Sequence, residues 1–534
     1  MPKAGFKRQV SMIDLTFVGF GAIFGSGWLL AAGKVSGMAG PAGWLSWVIG
    51  GVAVLLLGLV YAELGAAVPR AGGIIRYPLY SHGPLMGYLM GFITLVAFSS
   101  LIAIEVEAAR EYAVSWWPAL SRANSTSPTI LGWFFQVALL VIFFLLNYWT
   151  VRTFARSNTV ITIFKFVVPL LTVVVLFFVF KGSNFSSHGF APFGASGVQQ
   201  AVAGGGVIFA YLGLQPIVSM ASEAKTPQRT IPIALILSVL LSTIVYVVLQ
   251  VVFIGAVPAG GLAHGWGGVP AEFSLPFKDI AVGVGFGWLA VFIVIDALIS
   301  PSGTANIYTN STSRVVYGWA RNGTLFKIFS RIDEKSGIPR PALWLTLALA
   351  IFWTLPFPSW DVLVNGVSGA LILSYAIAPV SAAAFRRRLP DLDRPFRLKA
   401  FTIISPVSFI IASYIVYWTG WSTIWWLLGS QLVMFVLYIA FSRYAPTDRV
   451  PLGQQLRSSY WLIAYYVAML IISALGNFGG KQILKSPIDL ILLGLVALGA
   501  YYWSVRSALP TTEFDEDTVQ DEDPADALPG PAGH

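Results

Sequence analysis

Residues Gly21-Ala22-Ile23-Phe24-Gly25-Ser26-Gly27 interrupt an apolar stretch that runs from about Met12 to Val35. Glycine costs about 1 kcal/mol against alanine inside a helix, and a broken helix frees backbone N–H and C=O groups that lipid cannot satisfy. Something polar has to meet them. The half-helix that begins after the break offers N–H groups and the positive end of its dipole to a carboxylate. The half that ends at the break offers carbonyls to an ammonium or cation. A zwitterion fits both.

The motif has an echo at Gly206-Val207-Ile208-Phe209-Ala210-Tyr211-Leu212-Gly213. The two sit five apolar spans apart, an odd number, so they run through a bilayer in opposite senses, as in an inverted repeat. A simpler alternative is that Gly25, Ser26 and Gly27 only let helices approach closely. The paired, inverted occurrence favours a binding site between the first and sixth spans.

The chain around these motifs has the composition of a membrane protein. Of 534 residues, 56% are hydrophobic and 11% charged, with a mean hydropathy of +0.75. An average soluble domain has about 25% charged residues. With about 20 apolar residues per crossing, spans are expected near 12–35, 41–67, 86–117, 129–150, 157–181, 198–221, 231–256, 281–318, 341–358, 360–385, 402–420, 423–442, 459–476 and 487–505. The fold class is thus an all-α polytopic membrane protein. It is expected to comprise an inverted-repeat core (12–385) broken in its first and sixth spans, a basic loop (386–401) and about four further C-terminal helices (402–506).

Most of the 33 Lys and Arg residues fall in alternate loops, including Lys3, Lys7, Arg8, Arg70, Arg76, Arg152, Arg156 and the clusters Arg314–Arg340 and Arg386–Lys399. That bias places residues 1–11 and the tail in the cytoplasm. It also explains the net charge of +9 without nucleic acid. The first span is read as uncleaved, because it is longer than a signal-peptide core. The tail, 507–534, is acidic and proline-containing and is expected to be disordered, as a solvating or regulatory segment. Cysteine is absent, which removes disulfides and thiolate metal sites. His82, His188, His264 and His534 lack metal spacing, so no metal or cofactor is implied.

The pieces Gly25-Ser26-Gly27, Tyr61-Ala62-Glu63-Leu64-Gly65, Pro69-Arg70-Ala71-Gly72-Gly73, Phe209-Ala210-Tyr211, Glu223 to Arg229, and Ser313-Arg314 with Ala320 to Gly323 occur in one order and spacing. On them the chain resembles the amino acid-polyamine-organocation superfamily of transporters, over spans one to ten. The resemblance implies the five-plus-five fold and a substrate held between spans one and six. A narrower resemblance, to the bacterial aspartate-proton symporter group, rests on Arg76-Tyr77-Pro78, Tyr80 to Gly83, Ser300 to Thr304, Asn306 to Tyr308, Pro395-Phe396-Arg397 and Phe478-Gly479-Gly480. The chain departs from the wider family at Gln215-Pro216, which leaves side-chain preference open.

Within this frame, Ser26 and Gly27 N–H groups are candidates for the substrate carboxylate. The carbonyls of Ala22, Ile23, Phe209 and Ala210 are candidates for its amino group, with Gly25, Tyr211 and Gly213 shaping the two breaks. Trp28 is placed to line the route. Lys165 lies inside the fifth span, where insertion costs about 3 kcal/mol. One reading makes it the proton-coupling group, its ammonium standing where related folds hold sodium, as the resemblance supports. The other is a lysine snorkelling to the interface.

Asp296 and Ser300, four apart on the eighth span, share one face, with Ser302 nearby; the aspartate reads as a proton partner or as a buried acceptor. Glu105, Glu107, Arg110 and Glu111 read as a helical charge network, with Arg110 as a ligand for an acidic substrate in the alternative. Glu63 reads as a structural or gating contact with loop arginines. No nucleophile–base pair, metal cluster or phosphate loop suggests an enzyme. Three transport-related classes stand: a secondary active amino acid transporter, read as a proton-coupled symporter of aspartate or a neutral amino acid, an amino acid or polyamine exchanger, and a transporter-like nutrient sensor.

Overall fold

A computed structural model describes residues 11–68, 73–149, 165–211, 213–219, 226–333, 336, 338–355, 359–442 and 450–510. The expectations for residues 1–10, for Pro69 to Gly72, for the start of the fifth span, for Glu223 to Lys225 and for the tail from 511 lie outside this range. Among the described residues every regular element is helical, apart from one antiparallel bridge between Ser121 and Pro128.

The first span is two helices, α1 (Met12–Ile23) and α2 (Gly27–Ala39). A capping box starts α1: the Ser11 hydroxyl accepts from the Asp14 N–H, and the Asp14 carboxylate accepts from Ser11 N–H. Phe24 ends it in an extended conformation, φ −80° and ψ 93°. The chain continues through α3 (Gly43–Ala67), α4 (Gly73–His82), α5 (Pro84–Ala113), α6 (Ile130–Trp149) and α7, described over Lys165–Phe177. The sixth span is in three pieces: α8 (Gly194–Ala203), α9 (Val207–Ala210) and α10 (Leu214–Ser219). Gly206, at φ +87°, turns the chain between the first two, a conformation that favours glycine.

Then come α11 (Pro227–Ala256), the short α12 (Val269–Glu272) and α13 (Pro276–Gly283), and α14 (Gly287–Arg321). They are followed by α15 (Arg340–Trp353), α16 (Trp360–Arg388), α17 (Phe401–Trp418), α18 (Trp421–Phe441), α19 (Leu452–Leu475) and α20 (Ile488–Ser507). Ten helical stretches among the described residues are long and apolar enough to cross a membrane. The chain is a multi-pass membrane protein.

Two boundaries differ most from the sequence reading. The eighth span starts at Gly287, because the apolar residues just before it belong to α13, a separate helix. The thirteenth starts at Leu452, seven residues early; its first turns carry Gln455, Ser458 and Ser459, polar but buried against protein, which hydropathy alone reads as loop.

The packing pairs each early helix with one five spans later. α1 and α2 meet α10 and α9, α3 lies along α11, α5 along α14, and α6 against α15. The α5 and α16 helices form the buried middle, whereas α18 and α20 expose apolar faces such as Val436 and Leu495. Outward apolar faces are what a bilayer solvates.

An ion pair closes each end of α16. At its start, Asp361 Oδ1 lies 2.8 Å from Lys34 Nζ on α2. At its far end, Arg386 holds both Glu63 oxygens on α3, at 2.7 and 2.6 Å, and Glu63 also accepts the Leu398 N–H at 2.8 Å. The expected contact of Glu63 with loop arginines is therefore present.

Candidate functional site

The first break is capped by a side chain from a third helix. Glu105, in the middle of α5, accepts the Ser26 N–H on its Oε2 at 2.9 Å. That N–H stands at the positive end of α2, whose first N–H groups have no partner within their own helix. The Ser26 hydroxyl accepts from the Trp360 indole Nε1 at 3.0 Å. Gly25 faces the same carboxylate: a Cβ there would run into Glu105 Oε1 and lie 3.1 Å from Thr304 Oγ1.

Lys165 reaches inward rather than to an interface. It is buried, and its Nζ donates to the Gly21 carbonyl at 2.9 Å and to Thr304 Oγ1 at 2.8 Å. The fifth span is thereby tied to the end of α1 and to α14. Asp296, Ser300, Thr304 and Tyr308 follow at four-residue spacing, so one face of α14 carries all four. Ser300 donates to Asp296 Oδ1 at 2.7 Å, while Asp296 Oδ2, the Trp28 indole N–H and the Tyr308 hydroxyl have no hydrogen-bond partner among the described residues. Ser302 lies off this face, half-buried, with its hydroxyl on its own helix at Leu298.

The second break lies directly against the first. A Cβ on Gly27 would sit 2.5 Å from that of Ala210, and one on Gly213 would sit 2.9 Å from the Ile23 nitrogen. Tyr246 on α11 spans both breaks: its hydroxyl is 3.1 Å from the Ile23 carbonyl and 3.0 Å from that of Ala210. One proton serves two acceptors. Tyr211 turns away and donates to the Trp47 carbonyl at 2.8 Å.

Between these elements lies a small cavity lined by Ala22, Ile23, Gly25, Leu101, Glu105, Phe209, Thr304 and Tyr308. All eight are buried. Phe209 stands edge-on to Trp360 at 5.8 Å beside it.

Of the residues singled out from sequence, Ala22, Ile23, Gly25 and Phe209 line the cavity, and Ser26, Gly27, Ala210 and Lys165 border it through the contacts above. Tyr211, Gly213, Gln215, Asp296, Ser300, Ser302 and Arg110 do not line it. Gln215 is half-buried, with Oε1 unpartnered. Arg110 is buried against Glu107 at 2.9 Å and Glu111 at 3.6 Å, and also donates to Ser121 and Thr126.

Leu101, Tyr246 and Trp360 carry no sequence signal, Thr304 and Tyr308 enter the sequence reading only within resemblance motifs and with no role, and Glu105 is grouped there with neighbours on another face. A helix turns about 100° per residue, so Glu105 and Glu107 point to nearly opposite sides. That angle was the available signal. Similarly, the four-residue step from Asp296 and Ser300 continues to Thr304 and Tyr308.

Comparison with known proteins agrees with this architecture. A family profile described as Amino acid permease matches residues 10–472. The chain is 57% identical over 519 residues to the aspartate-proton symporter of Bacillus subtilis strain 168, covering 97% of this chain and 100% of that protein. It is 38% identical over 516 residues to the glutamate/serine transporter AimA of the same organism, covering 94% of each. The branched-chain amino acid permease BcaP is 27% identical over 449 residues, 82% of this chain and 93% of that protein. With a matching profile over most of its length and a relative 57% identical over nearly the whole chain, the chain belongs to the amino acid permease family and is a membrane transporter rather than an enzyme.

Proposed function

We propose that this protein is a proton-coupled symporter of the cell membrane that carries aspartate inward, with both termini in the cytoplasm. The observation that carries the coupling is Lys165: a buried ammonium bridges the Gly21 carbonyl and Thr304, filling with a fixed charge the space a sodium ion would need. The substrate assignment draws on the 57% identical aspartate-proton symporter.

In this reading the α-carboxylate takes the Ser26 and Gly27 N–H groups at the positive end of α2. The α-ammonium takes carbonyls of Ala22, Ile23, Phe209 and Ala210 at the ends of the helical pieces. Gly213 and Tyr211 set the approach of the second break. The Tyr308 hydroxyl, buried on the cavity wall without a partner, is the donor for the side-chain carboxylate. Trp28, Asp296 and Ser300 border the route outside the cavity.

The test is uptake of a panel of labelled amino acids into proteoliposomes, with and without an imposed proton gradient, in sodium or choline. Aspartate accumulation that follows the proton gradient and ignores sodium is expected. Exchange without net accumulation would make the protein an antiporter. Binding without flux would make it a sensor.

A further inference from the structure

We propose that Glu105 is a resident substitute for the substrate carboxylate: it holds the Ser26 N–H in the empty site and leaves, carrying a proton, when the amino acid arrives. The inference rests on the reading of the cavity as an amino-acid site. Four observations support it. The Glu105 carboxylate sits on the N–H that a substrate carboxylate would take, at 2.9 Å. The same side chain lines the cavity. The missing Cβ at Gly25 leaves room for its second oxygen. Finally, Glu105 has no ion-pair partner within 4.0 Å among the described residues: Lys165 makes its contacts with Gly21 and Thr304, and Arg110 is on the opposite face of α5 with Glu107 and Glu111.

Glu105 thus holds only what a ligand of the same chemistry would hold. A helix N-terminus accepts one carboxylate at a time at a given N–H. Entry of an anionic amino acid beside an ionised Glu105 would place three carboxylates against the Lys165 ammonium and the substrate's own. A proton on Glu105 removes one of those charges and frees the Ser26 N–H in the same step. In the balance, a proton from external water adds to a Glu105 carboxylate oxygen, and Ser26 N–H passes to the substrate. On release to the other side, Glu105 returns the proton to water and accepts Ser26 N–H again. One proton accompanies one substrate. The groups that face Glu105 are Lys165 from α7, Tyr246 from α11 and Tyr308 from α14, with Asp296 beyond Lys165. Neither tyrosine carries charge at neutral pH, so Lys165 and Asp296 are the charged groups around it.

A plain N-cap role is the competing account, and Glu105→Gln separates the two, since glutamine still offers an oxygen to Ser26 but cannot titrate. In proteoliposomes E105Q is expected to lose proton-driven aspartate accumulation at least tenfold, to keep aspartate counterflow, and to bind aspartate with an affinity indifferent to pH. Wild-type affinity should tighten as pH falls. E105Q with wild-type accumulation and pH-dependent binding would overturn the proposal.

A second measurement needs no variant: wild-type protein in weakly buffered detergent, given aspartate, should take up one proton per molecule bound, and uptake of none would overturn it equally. Wild-type protein that binds no amino acid would instead overturn the site reading on which the proposal stands.

Discussion

Gly27 and Ala210 touch across the two broken spans: a Cβ on Gly27 would sit 2.5 Å from the Ala210 Cβ and 2.8 Å from its Cα. The neighbour is backbone-near and cannot swing aside. Gly27→Val should therefore wedge the spans apart, cost about 1–3 kcal/mol of stability as overpacking does, and abolish binding. Gly25→Ala meets the flexible end of Glu105 instead. It should leave the melting temperature in detergent close to wild type while changing aspartate affinity. Equal effects of the two substitutions on melting would return both glycines to simple packing.

Lys165→Ala deletes the link among the fifth span, the end of α1 and Thr304. Concentrative uptake should disappear while aspartate binding, read by scintillation proximity, persists. The two lost hydrogen bonds cost about 1–3 kcal/mol together, within reach of a folded protein. Full activity with an unchanged pH response would leave Lys165 a structural tie.

Tyr308→Phe removes a hydroxyl that no protein atom satisfies. Stability should be unchanged, whereas aspartate should lose about tenfold in affinity relative to alanine, the worth of one good hydrogen bond at about 1.4 kcal/mol. Competition binding with both amino acids reads that ratio. Parallel losses for the two would place the side-chain carboxylate elsewhere.

Glu63→Gln leaves Arg386 and Arg394 facing a neutral group at the end of α16. Loss of one partner from a largely buried pair costs about 3 kcal/mol, so a clear fall in the melting temperature is expected. Arg386→Ala combined with Glu63→Gln should be milder than the sum of the singles. Additive losses would show that the pair contributes nothing as a pair.

The lesson about legibility differs between backbone and side chains. The broken spans are legible because glycine runs in an apolar stretch have few other uses in lipid, and the breaks at Phe24 to Ser26 and after Ala210 fall inside the quoted motifs. Lys165 was visible for the same reason: a charge in a span is costly enough to be noticed. Glu105 was seen but misassigned, because its role depends on which neighbour its face meets and not on the acids beside it in sequence. Tyr246 was invisible. It joins Ile23 to Ala210 across separations of 223 and 36 residues, and no local pattern encodes that.

The two ion pairs of α16 are unequal. Asp361 is 62% exposed, whereas Glu63 is 3% exposed. Exposed pairs hold weakly and yield to salt, so the helix is a beam with one loose pin and one tight one. If both released together, the membrane would leak; with unequal pins, the loose end opens first and often while the tight end stays shut. The resting carrier should therefore spend its idle time facing the Lys34 side, waiting for cargo there, and ionic strength on that side should set how long.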